Sequence, residues 1–455
     1  MSYRLSRREL LRLAGASGMA AGLGGTLAAR SLLADPPNEK GFIGGVISPS
    51  VTQPTTSCPS VVGGKVVQPQ RELTLLDQTD VLVVGAGPAG VAAAIAAKRA
   101  GAQVTLVERY NHFGGLWTGG LVLVVLGHMV KGKKQVCLGI GEEMMQHLDK
   151  IDGGIVNRKP GVNPTVDAEA LKFVMLDMIE EAGVKVFLHC WGVDAILDGN
   201  TVCGAVFESK SGRQAILAKQ VIDATGDGDV FAAAGAEYTH FRYQIGLCSR
   251  IGYLDKVDPA LLNQKPKPRG LGMISPMPGV NWIGMRGPDG DALDVKELTR
   301  LEMSHRRFIW ESMQKMRSTA GFEPVRLVET APQMGVRMSR SVAALKTVTF
   351  QDFKAQTRFP DVVAVGGAWS GEHDEWQIPF GALVPKKIDN ILASGRCIAT
   401  DLKMVDLVRV IPICFVTGHA AGVASAVAVK DGCRVRDVEV PKVQRILREQ
   451  DAYLG

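Results

Sequence analysis

Three glycines at regular spacing form the pattern that most clearly indicates chemistry in this chain. Gly85, Gly87 and Gly90 follow the short apolar run 80–84 and open an alanine-rich stretch that extends from Pro88 to Ala100. Glycines at these positions permit a tight turn out of a buried strand and let backbone N–H groups approach a pyrophosphate. They also let the next helix pack closely, with the phosphates at its N-terminus. The pattern predicts a dinucleotide-binding turn between a strand and a helix.

The residues that follow indicate which dinucleotide is bound. A second apolar run, 104–107, ends at Glu108, whose carboxylate can accept hydrogen bonds from adenosine ribose hydroxyls. The glycine-dense loop 113–120 comes next, where an NAD domain would normally continue with another strand and helix. A loose surface loop is the alternative, but Phe113 and Trp117 are costly to leave in water. This arrangement resembles the FAD-binding half of the two-dinucleotide-binding-domain flavoproteins.

The rest of the chain must supply the elements that position this turn. Alternating apolar residues predict an antiparallel meander, with strands at 184–190, 193–197, 201–209 and 214–217. The run 221–223 predicts a return to a buried strand, which ends in a glycine turn that carries three acids. Those acids lack the ligand spacing of an EF-hand, and the cysteines lack zinc spacing, so no metal site is predicted.

Helical signals are clear at four places. Periodic apolar positions predict helices over 139–151, over a segment capped by Asp167 and ended by Gly183, and over 295–316. A small-residue helix over 417–426 follows a predicted strand at 390–397. Such a helix could pack under a ring system and stabilise negative charge on a reduced flavin, or it could be a plain core helix.

These elements predict an α/β protein, with a Rossmann-like FAD-binding domain and an inserted mixed α+β substrate domain. The predicted segments are a signal peptide at 1–34, a linker at 35–78, a discontinuous FAD-binding domain at 79–235 and 385–455, and a substrate domain at 236–384.

Composition narrows the functional class. The chain has 455 residues, of which 46% are hydrophobic and 22% charged, as is ordinary for a soluble globular enzyme. Its formal net charge is +6, but residues 1–34 carry five arginines against one glutamate, which is +4 of that total. The remaining charge of about +2 gives no indication of a nucleic-acid partner. Eight cysteines would permit a disulfide in an oxidising compartment, although the sequence cannot pair them.

The N-terminal segment looks like a targeting signal. Arg7 and Arg8, followed by Glu9-Leu10-Leu11, resemble a twin-arginine export signal, and an ordinary basic helix is the alternative. The segment that follows is too polar for a comfortable membrane span, so we expect no stable span after processing. We therefore expect the twin-arginine translocase as a partner and a periplasmic or extracellular location. This route exports folded proteins that often hold a redox cofactor.

Seven segments, in this order along the chain, resemble a family often called simply "FAD-dependent oxidoreductase". They are DVLVVGAGPAG, ERYNHFGG, VIDATGDGD, MGVRMSR, WQIPFGALVP, NILASGRCI and RVIPICFVTGHAAG, and the resemblance covers roughly residues 71–432. It implies non-covalent FAD and hydride chemistry at the flavin N5, without implying one substrate. This chain departs from the family at Met338, where relatives commonly have an acid, and at Gly381, where they often have arginine.

The resemblance also implies which residues contact the cofactor. They are Gly85, Gly87, Ala89 and Gly90 at the pyrophosphate, Glu108 at the ribose, Arg109, Gly114, Gly115 and Thr118 along the FAD, Val193 at the adenine, Thr225, Gly226 and Asp227 closing over the cofactor, and Gly395, Arg396, Pro412, Gly418 and Ala420 around the ribityl chain and ring.

The best candidates for catalytic residues lie in the stretch 371–376, just before the segment that returns to the FAD-binding domain. His373 is flanked by carboxylates and is the predicted base, with Glu372 beside it, and Trp369 or Trp376 could stack on a ring-shaped substrate. An exposed polar loop is the alternative. His240, His419 and Arg337 are weaker candidates.

The prediction is therefore an exported flavoenzyme that transfers hydride from a small hydroxylated or amine substrate to FAD, with an unknown electron acceptor. A flavin monooxygenase or an electron-relay flavoprotein, reduced by NAD(P)H or a protein partner, remains the alternative. The sequence has no second GxGxxG, no CxxC and no iron–sulfur spacing, which argues against both.

Overall fold

The computed structural model describes residues 58–130, 134–367 and 374–455. The predicted signal peptide, most of the predicted linker and the predicted catalytic pair Glu372 and His373 lie outside these residues.

The described residues fall into two units, 58–71 and 72–455. In the described part of the first unit, Ser60–Val62 (β1) and Lys65–Val67 (β2) form an antiparallel hairpin. The second unit holds all other described strands and helices. The predicted boundary between FAD-binding and substrate domains stays a prediction.

The strands of the second unit are β3 (Thr74–Val84), β4 (Val104–Val107), β5 (Ile155–Val156), β6 (Thr165–Val166), β7 (Lys185–Phe187), β8 (Trp191–Asp198), β9 (Thr201–Ser209), β10 (Gly212–Asp223), β11 (Tyr238–His240), β12 (Arg242–Gly246), β13 (Ser249–Gly252), β14 (Met273–Ile274), β15 (Asn281–Ile283), β16 (Asp289–Asp291), β17 (Arg326–Thr330), β18 (Gly335–Val336), β19 (Arg340–Val342), β20 (Val362–Gly366), β21 (Trp376–Pro379) and β22 (Ile391–Ala393). The α-helices are α1 (Pro88–Arg99), α2 (Ile140–Asp149), α3 (Ala168–Ala182), α4 (Asp229–Ala233), α5 (Pro259–Leu262), α6 (Val295–Arg317), α7 (Phe350–Ala355), α8 (Val405–Val408), α9 (Ile411–Asp431) and α10 (Val440–Glu449).

A seven-stranded sheet is the centre of the second unit. Its order is β7-β4-β3-β10-β9-β8, and β22 also pairs with β10. The pairs β7–β4, β4–β3, β3–β10 and β10–β22 are parallel, whereas β10–β9 and β9–β8 are antiparallel. Along one edge of β10, β9 pairs with the first half and β22 with the last three residues. The α/β class with a Rossmann-like core is confirmed.

The predicted meander is partly wrong. The segment predicted at 184–190 forms β7, which pairs in parallel with β4 because α3 returns the chain to that edge of the sheet. The predicted strands at 214–217 and 221–223 are one continuous strand, β10, which pairs with β3 over most of its length. The sheet also takes in Thr74 to Gln78, which fall inside the predicted linker.

Two alanine- and glycine-rich helices, α1 and α9, pack against each other in the core. A Cβ atom added to Gly418 would lie 2.0 Å from the Ala89 carbonyl oxygen, and one added to Gly422 would lie 2.2 Å from the Ala93 oxygen. The two backbones therefore approach each other more closely than any other residue type would allow.

Helix α9 begins earlier than predicted. It starts at Ile411 with Pro412 in its first turn, a position that tolerates proline because the first N–H groups have no intrahelical partner. In the described part of the chain it is the one helix long and apolar enough to cross a membrane, but 94% of its most apolar stretch is buried inside the protein. It is a core helix in this structure.

The other long-helix predictions are confirmed. Helix α2 buries Met144, Met145 and Leu148, helix α3 is capped by Asp167 and ended by Gly183 with φ of 69°, and α6 presents a mostly exposed charged face. All eight cysteines are free thiols.

Small antiparallel sheets occupy much of the segment 236–366. Strands β14-β15-β13-β17 form one sheet, β16-β12-β18 a second, and β11 pairs with β19. Helix α6 crosses this region and buries Leu301 beside Ile245 and Val336.

Candidate active site

Four parallel strands of the central sheet end along the same edge, beside one cavity of ≈ 760 Å³. The residues directly after β3, β4, β10 and β22 are Gly85, Glu108, Ala224 and Ser394, and all four line this cavity. Ligands of open α/β sheets bind outside the carboxyl ends of parallel strands. The cavity therefore lies where this topology places a ligand.

The glycine turn has one packed side and one open side. A Cβ atom on Gly90 would lie 1.7 Å from the Gly85 carbonyl oxygen, so only glycine fits there. A Cβ atom on Gly87 would meet nothing closer than the Gly115 Cα atom at 3.9 Å. Gly87 is also the N-cap of α1, and no side chain caps that helix. Its first N–H groups are therefore available to an anion.

Glu108 ties the glycine turn to the neighbouring strand. Its buried carboxylate accepts hydrogen bonds from the N–H groups of Ala86, at 2.6 Å, and Tyr110, at 2.9 Å. Next to it, the Arg109 guanidinium lies 4.8 Å from the ring centre of Tyr110 and 5.2 Å from that of Trp191. All four side chains are held by local contacts at one corner of the cavity.

The acid at the end of β10, Asp223, is hydrogen-bonded to groups of the protein itself. Asp223 is fully buried and accepts hydrogen bonds from the N–H groups of Thr225, Val230 and Phe231, so it caps α4. Burial raises the pKa of Asp223 to about 6 despite these donors. Because every one of these contacts is within the fold, we assign Asp223 a structural role.

A buried ion pair follows. Asp227 lies 2.8 Å from Arg396 and accepts a hydrogen bond from Ser339. Burial alone would raise the pKa of Asp227, but Arg396 and the hydrogen bonds outweigh burial and hold the pKa below its ordinary value. Asp229 pairs with Arg340 at 2.9 Å. Its pKa is raised, first by burial and then by the nearby Asp227.

Ten of the predicted cofactor residues line the cavity. They are Gly85, Gly87, Ala89, Glu108, Arg109, Gly115, Thr225, Gly226, Gly395 and Arg396. We call their shared surface the glycine-turn part of the cavity.

The other eight predicted cofactor residues are not among the lining residues. They are Gly90, Gly114, Thr118, Val193, Asp227, Pro412, Gly418 and Ala420. Gly90 and Gly418 instead provide close backbone packing, and Thr118 donates to the Phe113 carbonyl oxygen at 2.5 Å. Val193 is not in the lining, although its neighbours Trp191 and Gly192 are.

Residues from distant segments complete the cavity. Trp282 and Arg286 come from β15 and the loop after it, Gln333 and Arg337 flank β18, and Arg409 ends α8. We call the surface formed by these five residues the arginine part of the cavity. Trp282 is fixed by its indole N–H, which donates to the Leu121 carbonyl oxygen.

Comparison with known proteins identifies the family. Residues 80–447 match the model of the family described as FAD dependent oxidoreductase. The chain belongs to this family. It is therefore a flavoenzyme with FAD as its cofactor, and the cavity at the carboxyl ends of its parallel strands is its candidate active site.

Curated relatives of this FAD-dependent oxidoreductase have different activities. A thiamine thiazole synthase from Pyrococcus abyssi is 30% identical over 190 residues, which is 40% of this chain and 68% of the synthase. A digeranylgeranylglycerophospholipid reductase from Methanopyrus kandleri is 30% identical over 155 residues, but the match spans only 32% of this chain and 39% of the reductase. Among solved structures, a geranylgeranyl bacteriochlorophyll reductase-like protein from Thermoplasma acidophilum superposes with a TM-score of 0.49 at 15% identity, covering 83% of this chain and 84% of that one.

The departures of this oxidoreductase from the family pattern have structural counterparts. Met338, where the family resemblance predicts an acid, is fully buried beside Phe241 and Val405. Gly381 lies outside the described cavity lining, next to the Lys346 side chain. Trp376 is also absent from that lining, because its indole N–H is bonded to the Gly367 carbonyl oxygen at 2.8 Å.

The two weaker histidine candidates for the base, His240 and His419, each contact another side chain of the protein. His240 lies 2.8 Å from Asp291, outside the cavity lining. His419 is buried within α9 and bonded to Gln450 at 2.9 Å, and burial lowers its pKa to about 4. Both contacts are structural.

Sequence reasoning missed most of the arginine part of the cavity. Only Arg337 was a candidate, and it was one of the weaker candidates for the catalytic base. Trp282, Arg286 and Gln333 stand in none of the seven segments, and Arg409 begins the last of them but was given no role. No local signal could have found them.

Proposed function

We propose that this oxidoreductase removes a hydride and a proton from a small hydroxylated or amine substrate, with FAD as the hydride acceptor. The observation that carries the proposal is that one cavity joins the glycine-turn part to the arginine part. Its volume lies in the range of about 300–1,000 Å³ typical of ligand pockets. A substrate in the arginine part would therefore share one enclosed space with the cofactor.

In this proposal the glycine-turn part holds the FAD. The pyrophosphate would lie at Gly87, whose open side leaves room for it, and would accept hydrogen bonds from the first N–H groups of α1. Glu108 would meet the adenosine ribose with the carboxylate lone pairs that Ala86 and Tyr110 leave free. Gly395 and Arg396 would line the path toward the ring.

The reaction balances as a two-electron oxidation. FAD supplies the two-electron acceptor at its N5. The substrate carbon would lose a hydride and its hydroxyl or amine would lose a proton, which leaves a carbonyl or an imine. An external electron acceptor would take up the two electrons that the substrate has lost. Among the described lining residues the carboxylates are Glu108 and Asp229, and both are bonded elsewhere. His373, with Glu372, therefore remains the proposed base.

Anaerobic bleaching of the bound flavin tests this proposal. Purified holoenzyme is mixed without oxygen with sugars, polyols, hydroxy acids, amines, amino acids and reduced pyridine nucleotides, and the absorbance near ~450 nm is followed. Bleaching by a hydroxylated or amine compound is the expected result. Bleaching by NAD(P)H alone would favour the monooxygenase or electron-relay alternative.

We also propose export of the folded holoenzyme through the twin-arginine route. The support is the sequence pattern around Arg7 and Arg8. In a bacterium with this translocase, the full chain should accumulate in the periplasm, and Arg7→Lys with Arg8→Lys should retain it in the cytoplasm. The same distribution for both proteins would refute the proposal.

A further inference from the structure

The arginine part of the cavity concentrates positive charge. Arg286, Arg337 and Arg409 all line it, and they come from segments 51 and 72 residues apart along the chain. Arg286 is exposed, whereas Arg337 and Arg409 are half-buried. The three guanidinium groups therefore extend from the surface into the cavity.

These three charges are compensated only in part. Arg409 bonds to Asp406 through Nε at 3.0 Å and Nη2 at 2.5 Å. Across the described ranges 58–130, 134–367 and 374–455, neither Arg286 nor Arg337 has a carboxylate oxygen within 4.0 Å. Burial, followed by the proximity of Arg409 and Arg286, lowers the pKa of Arg337, although Asp406 acts in the opposite direction. In the described part of the chain, Arg286 and Arg337 therefore have no carboxylate at ion-pair distance.

The acids of the cavity lie in its other part. Among described lining residues they are Glu108, bonded to the glycine turn, and Asp229, paired with Arg340. Neither is available to balance Arg337. Like charges held together in a half-buried site are costly, and a bound anion would remove that cost.

We infer that the substrate carries an anionic group, a carboxylate or a phosphate, which Arg286, Arg337 and Arg409 bind beside the flavin site. Guanidinium groups suit both anions because their planar N–H pairs match two oxygen atoms at once. Trp282, Ile283 and Val336 add an apolar wall to the same surface, so the anion would belong to a molecule with an apolar or planar body. This inference rests on the proposed function and names its substrate class: hydroxy or amino compounds with an acidic group.

The test uses three ring compounds that differ in charge. Holoenzyme is titrated with benzoate, phenyl phosphate and neutral benzamide, and binding is followed by the change in the flavin absorbance spectrum. We expect at least one of the two anions to bind about tenfold or more tightly than benzamide, with an affinity that falls as salt is added. The better of the two identifies the anion as carboxylate or phosphate. Equal binding of all three, or no binding of either anion, would overturn the inference.

Substitutions locate the site. Arg337→Met should weaken binding of the preferred anion about ten- to a hundredfold, and Arg337→Lys should restore part of it. Arg307→Met, on the exposed face of α6, removes the same charge and should change nothing. FAD content is measured for each variant, and Arg286→Met serves as a second probe if Arg337→Met does not fold. Unchanged anion binding in Arg337→Met, or loss of FAD from it, would contradict the inference.

The result is separable from that of the proposed function. If the anions bind through Arg337 but no hydroxylated or amine compound bleaches the flavin, the anion site stands and the proposed oxidation fails. If neutral polyols or amines bleach the flavin while the anions do not bind, the oxidation stands and the anion site fails.

Discussion

The two parts of the cavity are built in different ways. The glycine-turn part is formed by strand ends, backbone N–H groups and glycines packed against Ala89, Ala224 and Gly115. The arginine part is formed by long side chains from loops. A substitution in the first should therefore damage folding or FAD binding, whereas one in the second should change ligand preference in an intact flavoprotein. The predictions below test that difference.

The largest effect is expected at the ion pair between Arg396 and Asp227. Both side chains are largely buried and lie 2.8 Å apart. Arg396→Met would leave a buried, uncompensated carboxylate and should lower the free energy of unfolding by about 3–5 kcal/mol. Denaturant unfolding measures this loss of stability. The control is Arg307→Met on the exposed face of α6, whose free energy of unfolding should stay within about 0.5 kcal/mol of the parent value.

Adding Asp227→Asn to Arg396→Met would remove the second charge and should recover part of the loss. If Arg396→Met costs less than about 1 kcal/mol, the pair does not stabilise the fold in the way that a buried pair should.

A pair of glycine substitutions separates packing from cofactor binding. Gly90→Ala places a Cβ atom against the Gly85 carbonyl oxygen, so it should destabilise the protein by about 3 kcal/mol, the upper end for overpacking. In Gly87→Ala the added Cβ atom would lie no closer than 3.9 Å to any other atom. The backbone at this position is extended, with φ of −69°, a conformation that alanine adopts, so the variant should fold. That Cβ atom faces the cavity, so FAD affinity should fall about tenfold.

Thermal melting and flavin content of the two variants distinguish these outcomes. Normal FAD binding by the Gly87→Ala protein would show that the glycine turn is not part of the cofactor site. A Gly90→Ala protein as stable as the parent would mean that the turn can relax around a methyl group.

The contrast between the two parts also explains how much the sequence could predict. The order of strand, glycines, helix, strand and acid is local, because it is contained in one stretch of sequence, residues 80–108. The Rossmann-like core and the lining residues Gly85, Gly87 and Glu108 followed from that pattern, and helix α3 followed from an equally local signal, its apolar period between Asp167 and Gly183.

Predictions failed where the outcome depended on pairing between distant segments. The strand at 185–187 was assigned to the meander because periodicity does not show that α3 carries the chain back to β4. The start of α9 was placed at 417 instead of Ile411, because the sequence signal for the helix was its small residues and not the proline in its first turn. The convergence of Arg286, Arg337 and Arg409 is of the same kind, because they stand 51 and 72 residues apart along the chain and no local pattern shows that they meet.

The smallest effect on folding is expected at Gln333. A substitution there tests whether residues of the arginine part can be changed without loss of stability or FAD. Gln333 lines the arginine part, and its side-chain oxygen has no hydrogen-bond partner within the described structure. Its backbone N–H donates to the Gly119 carbonyl oxygen at 3.0 Å, a contact that a substitution of the side chain leaves in place. Gln333→Ala should therefore keep the free energy of unfolding within about 0.5 kcal/mol and bind FAD fully.

The same variant should lose substrate recognition. Gln333 lines the cavity, so its side-chain amide can hydrogen-bond to a substrate there, and the loss of one such bond corresponds to about a tenfold fall in kcat/KM. Steady-state kinetics with the compound that bleaches the flavin measures it. If Gln333→Ala instead releases FAD while kcat/KM per bound flavin is unchanged, Gln333 belongs with the cofactor, and the division of the cavity into a backbone-built part and a side-chain-built part fails at this residue.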